Sequence, residues 1–275
     1  MIIYNTNDMA QFQSKEEIKR QQLKNILLKR VIIRFDYTSI VNVQDVLNQI
    51  VGFLNSLEKS FGSFDQMVSP KEDIAKESST ESIGNSNDRQ FVYRFTDCQI
   101  EPKQDVTLDF SRNFLCLDIR CDEHYTLIDP YLGIMSELMA IIIERDRFVQ
   151  LTRIGIRKID GVDSIAPDDA DSVFEYFSQQ LTWRKGVDSM KAREYTDFMF
   201  CSDVPAYVNY SRIVRVLQGS DDLRFTLDID CYKDPGLLEK RPGRYLIRQY
   251  LFNMNDKLFS MFIMGIKLEY LNLNL

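Results

Sequence analysis

Arg30-Val31-Ile32-Ile33-Arg34 and Arg153-Ile154-Gly155-Ile156-Arg157 share one pattern, R-[VI]-x-I-R. Leu117-Asp118-Ile119-Arg120-Cys121 and Leu227-Asp228-Ile229-Asp230-Cys231 share another, L-D-I-x-C. Apolar residues recur at every second position in all four, the mark of a half-buried strand. Each first motif precedes a helical pattern, and each second motif precedes a longer apolar one. The element order reads β-α-β-β-β-α twice, which predicts an internal duplication. One apolar sheet face needs a helical cover. The expected fold is therefore α+β: a duplicated β-α-β-β-β-α unit forming an eight-stranded, curved antiparallel sheet or partial barrel, with helices packed on one face.

Along the chain, residues 1–28 read as a polar extension with a short helix at 14–28. The first half spans 29–148 and the second 149–275, joined into one domain. Strands are expected at 29–37, 90–98, 105–111 and 114–121, the last pair being a hairpin turning at Arg112-Asn113. Asn42 caps an expected helix reaching Phe61. Residues 62–88, rich in Ser, Asn, Asp, Glu and Lys, lose all periodicity and read as a long mobile loop. A heavily apolar helix is expected at 127–145. In the second half, a strand at 149–159 leads to a helix opened by Pro167, a linker at 183–194, strands at 195–201, 206–217 and 223–231, and a terminal helix at 245–271. Its methionines, Met254, Met261 and Met264, suit a core or a subunit interface.

Strand parity divides the charged residues from the core. With Val31, Ile33, Leu117, Ile119, Ile154, Ile156, Leu227 and Ile229 against helices, the opposite face carries Arg30, Arg34, Asp118, Arg120, Arg153, Arg157, Asp228 and Asp230. Three readings fit those eight residues. They form cross-strand salt bridges on a solvated face; or they line a concave groove that receives a ligand or peptide; or Asp118, Asp228 and Asp230 form an acidic metal centre.

Composition narrows the function. The chain has 275 residues, 44% of them hydrophobic, enough for a real core. Its net charge of −7 argues against nucleic acid and anionic membranes as partners. A single histidine, His124, excludes a multi-histidine metal site in one chain and weakens histidine-based catalysis. The five cysteines, Cys98, Cys116, Cys121, Cys201 and Cys231, contain no Cys-x-x-Cys pair and read as buried free thiols of a reducing cytoplasm. The opening residues lack a signal-peptide core, and the most apolar stretch, Leu132–Ile143, is too short for a bilayer. No G-x-x-x-x-G-K-[ST], G-x-G-x-x-G or G-x-S-x-G motif occurs, and no cofactor is implied. Trp183, in Trp-Arg-Lys-Gly, reads as a packed linker residue.

Several segments resemble a sporadically distributed, uncharacterised bacterial protein family. RIGIRKID (153–160) is similar to its R-I-G-L-R-Y-I-N segment, and FTLDIDCYKD (225–234) to its L-D-I-D-V-Y segment before a long terminal helix. LKNILLKRVIIRFDY (23–37) and FSRNFLCLDI (110–119) resemble its opening and central hairpin. Lys158 stands where that family has an aromatic residue, Asp160 where it has asparagine, and its opening proline is missing. The resemblance implies an α+β protein with no assigned activity, in a bacterial setting among mobile or phage-defence genes.

The leading expectation is a non-enzymatic binding or regulatory protein. Its charged sheet face would engage a protein or small ligand, and a homodimer is one expected assembly. The alternative is a metal-dependent phosphohydrolase holding a nucleotide or triphosphate in the sheet concavity. The first strand lacks the E-x-E-x-K pattern usual in such barrels.

Overall fold

A computed structural model describes residues 27–69, 90–100, 105–121, 128–166, 192–217 and 219–266. The expected helix opened by Pro167, most of the 183–194 linker, His124, Trp183 and residues 70–88 lie outside them. The element order is β1 (Leu28–Tyr37), α1 (Val43–Ser56), β2 (Phe61–Ser69), β3 (Gln90–Cys98), β4 (Asp105–Ser111), β5 (Phe114–Arg120) and α2 (Asp129–Arg145). It continues with β6 (Leu151–Ile165), β7 (Ala192–Cys201), β8 (Ala206–Val216), β9 (Leu223–Lys233) and α3 (Arg244–Met264).

The fold is α+β. All nine strands form one antiparallel sheet in the order β2-β3-β4-β5-β1-β6-β9-β8-β7. The sheet does not close, so β2 and β7 are its edges and the barrel alternative is set aside. Outward from the β1–β6 junction the order is β5-β4-β3-β2 on one side and β9-β8-β7 on the other.

The ninth strand corrects the sequence reading. Residues 61–69 are strand β2, paired with β3 from Phe61↔Cys98 to Ser69↔Gln90, and are not the start of a loop. Leu28 opens β1 rather than closing a helix. The linker ends early, since Ala192 already belongs to β7. Helix α1 stops at Ser56, short of Phe61, where the Ser56 hydroxyl donates to the Phe53 carbonyl and Leu57 turns extended. Asn42 caps α1 as expected, its side chain accepting from the Asp45 N–H at 3.3 Å.

One row of paired residues shows how the core forms. Phe64, Phe95, Leu108, Leu117, Ile33, Ile156, Cys231, Val208 and Met199 are successive partners across all nine strands. From Phe95 to Val208 every member is buried. Over this face lie the helices: α2 packs on α1 and α3 and touches β1, and α3 lies over β6 and β9. Arg241 ties the layers together. It donates to the carbonyls of Asp146 (2.9 Å), Val149 (2.8 Å) and Ile143, satisfying groups at the α2 C-terminus.

Helix α3 ends at Met264, and residues 267–271 of the expected helix lie outside the described ones. Gly265 caps it, with its N–H reaching the Met261 and Phe262 carbonyls. Its φ of −78° suits any residue, so space explains the glycine. A Cβ there would run into the Tyr210 hydroxyl beneath it. Met254 and Met261 are buried and Met264 is exposed. Gly265→Ala is expected to lower stability by about 1–3 kcal/mol. Adding Tyr210→Phe, which removes the obstructing oxygen, should recover most of that loss in urea unfolding.

Candidate functional site

The eight arginines and aspartates singled out by parity lie together on the face opposite the helices. The structure pairs them. Arg30 on β1 grips Asp118 on β5 with two bonds, Nε to Oδ1 at 2.7 Å and Nη2 to Oδ2 at 2.6 Å. Arg157 on β6 does the same to Asp228 on β9, with Nε to Oδ1 at 2.9 Å and Nη2 to Oδ2 at 2.6 Å. Arg153 donates to Asp230 at 2.8 Å. Arg34 donates to Asp36 at 2.9 Å, and Asp36 also stands 3.8 Å from Arg153. Arg120 faces Asp105 at 3.6 Å at the solvated end of the hairpin.

Two members of this lattice, Asp36 and Arg94, escaped the sequence reading. Asp36 links Arg34 on its own strand to Arg153 on the next. Arg94 and Asp109 extend the pattern to β3 and β4 with two bonds of 2.7 Å. Parity would have found both, because Asp36 follows Arg34 by two residues and Arg94 alternates with Tyr93 and Phe95 on its strand. The hydrogen bonds from Arg30 to Asp118 and from Arg94 to Asp109 raise both guanidinium pKa values above their already high norm.

An aromatic ladder, also unforeseen, borders the lattice. On the same face Phe200, Tyr207 and Tyr232 are register partners on β7, β8 and β9. Ring centroids are 5.4 Å apart for Phe200–Tyr207, 5.6 Å for Phe198–Tyr207 and 5.7 Å for Tyr207–Tyr232. The Arg153 guanidinium lies 4.8 Å from the Tyr232 ring centre, and Arg34 sits 5.0 Å from Phe114. Tyr232 needs Gly155 beside it, since a Cβ there would stand 3.2 Å from the tyrosine Cβ.

Metal chemistry finds no grouped ligands in this geometry. Asp118 on β5 is separated from Asp228 and Asp230 on β9 by β1 and β6, about 14 Å at the usual strand spacing. Among the described residues no cluster of three His, Cys, Asp or Glu could hold an ion. Nucleophilic cysteine chemistry is disfavoured too. All five cysteines are free, with Cys98 and Cys231 buried and the other three half-buried. Burial raises the Cys98 and Cys201 thiols and pushes Cys116 and Cys231 up to about 12, so the thiolate is suppressed at neutral pH.

A second polar group lies on the helix-covered face, where parity promised only apolar residues. Lys158 and Asp160 follow Ile154 and Ile156 on β6, and both are buried. Lys158 donates to Asn255 of α3 at 2.7 Å. Arg212 on β8 is buried against Asp197 and the Tyr195 and Tyr210 rings. Burial lifts the Asp160 carboxyl to about 7, although the Lys158 charge opposes the shift.

Compared with known proteins, the chain matches no family model and no curated sequence. Among the described residues no helix is long and apolar enough to cross a membrane.

Two outcomes test these placements. Asp228→Ala removes the carboxylate that takes two bonds from Arg157 in a half-buried site, and is expected to cost about 1–3 kcal/mol in urea unfolding. The folded Asp160 carboxyl holds its proton more tightly than the unfolded one. Its stabilisation is therefore complete below about pH 4 and is lost as pH rises through about 7. Asp160→Asn should remove this slope, so that unfolding midpoints measured from pH 4 to 8 favour the variant increasingly as pH rises.

Proposed function

We propose that the protein is a non-enzymatic binding or regulatory protein that engages a partner protein with the face opposite its helices. The observation that carries this reading is the pairing of an internally neutralised arginine–aspartate lattice with an aromatic ladder, exposed at Phe198 and Phe200, on one sheet face. Nine strands span about 38 Å at their usual spacing, which suits a protein surface better than a small molecule. Rings beside guanidinium groups are common anchors at protein interfaces. Matched charges remove the attraction that a polyphosphate chain would need.

The bacterial and phage-defence setting belongs to this proposal through the family resemblance, and the duplication of the unit through the two repeated strand motifs. The free thiols suit a reducing compartment. The phosphohydrolase alternative gains nothing from the geometry, because Asp118, Asp228 and Asp230 each hold an arginine.

Native mass spectrometry of the chain purified gently from its own host tests the reading. A reproducible partner mass is expected on the parent chain. Arg153→Ala with Tyr232→Ala should lose that mass while keeping its circular dichroism spectrum. Tyr245→Ala, on the exposed start of α3, should keep it. A partner retained by both variants, or none on the parent, would count against this face.

A further inference from the structure

Strand β7 is an edge of the nine-stranded sheet, and among the described residues only the charges of Arg193, Glu194 and Asp197 guard it against pairing. Edge strands are normally kept apart by proline, lysine, a bulge or shortness. Among its ten residues β7 has neither proline nor lysine, and its register with β8 runs unbroken from Ala192↔Arg215 to Cys201↔Ala206. It also exposes large rings: Phe198 is 63% exposed, Phe200 54% and Tyr195 57%. The aromatic ladder from Tyr232 through Tyr207 thus ends in two open rings at the rim of the sheet.

We propose that β7 pairs with β7 of a second copy of this chain, antiparallel, about a two-fold axis at Phe198. A two-fold perpendicular to the sheet maps each face onto itself, so one residue must lie on the axis. Placing Glu194 or Asp197 there sets like charges directly opposite, which is destabilising. Placing Thr196 there sets Glu194 against the partner ring at 198. With Phe198 on the axis, Phe198 meets Phe198, Thr196 meets Phe200 and Asp197 meets Met199. No acid then opposes an acid, and the four open rings cover one another. The ladder becomes continuous from Tyr232 of one copy to Tyr232 of the other.

This pairing closes at two copies, whereas β7 against β2 would propagate without end. It also joins the two lattice-bearing faces into one surface on a single side of an extended sheet. The inference goes beyond the partner-binding reading and does not depend on it, since self-association is read without any other protein.

Sedimentation equilibrium of the pure full chain tests it. The parent should sediment at twice the 32.3 kDa chain mass at micromolar concentrations. Phe198→Lys, a change at an exposed ring, should weaken the dimer by about tenfold or more. Phe64→Lys places the same charge at an exposed ring on the other edge strand and should leave the dimer intact. A single-chain mass for the parent overturns the proposal. So does an undiminished dimer of Phe198→Lys, a dimer lost in Phe64→Lys alone, or a mass series rising beyond two copies.

Discussion

The antiparallel register of β1 against β6 is the constraint from which the two faces of the sheet follow. Ile33 meets Ile156 and Phe35 meets Ile154, all fully buried beneath the helices. The same register sends Arg30, Arg34, Arg153 and Arg157 to the other side. A slip of one residue on either strand would drive two guanidinium groups into the helix layer and expose two large apolar side chains. Burying an unpaired charge costs far more than any pairing energy on offer. Core and charged face are therefore one decision, taken at the centre of the sheet and passed outward strand by strand. The aspartates complete it, because half-buried arginines in adjacent strands need a nearby acceptor, and Asp118, Asp228 and Asp230 stand within reach.

The two flanks of the sheet treat the helix side differently. On the β5-β4-β3 side the row is apolar throughout, with Leu115, Leu117, Ile119, Val106, Leu108 and Phe110 buried. On the other side Lys158, Asp160, Arg212 and Lys233 occupy core-facing positions. The three cations are accommodated separately. Lys158 has Asn255, Arg212 has Asp197 and two rings, and Lys233 has the Pro205 carbonyl and the Tyr250 ring. Desolvation lowers the Lys233 pKa and raises that of Asp160, both toward the neutral form. This flank gives up hydrophobic burial for polar contacts that tie β6 and β9 to α3 and β8 to β7, and part of its stability depends on pH.

Legibility in the sequence followed periodicity. Where alternation was strict, as in Val31-Ile33-Phe35 or Leu115-Leu117-Ile119, both the strand and its faces could be read. The eight charged residues were found on one face for the same reason. Strand β2 escaped because Gly62, Ser63, Asp65 and Gln66 mimic loop composition; it lies at the sheet edge, where pairing with β3 rather than burial holds it. Lys158 and Asp160 were missed although their parity with Ile154 and Ile156 was plain, because residue type outweighed position. The aromatic ladder was missed because Phe198, Phe200, Tyr207 and Tyr232 come from three strands, and only inter-strand register aligns them.

That ladder bears on how the proposed interface would discriminate among partners. Six arginines of the face, from Arg30 to Arg157, are matched by carboxylates within 4 Å, so little long-range field is left to select by charge. Rings retain their full contact value when charges cancel, because dispersion and desolvation do not depend on net charge. On this reading the arginines hold the strands in register and stiffen Tyr232 through Arg153. The rings provide the contact. Recognition built this way depends on shape and register, responds weakly to salt, and gains most from surfaces that continue the ladder in line with the sheet.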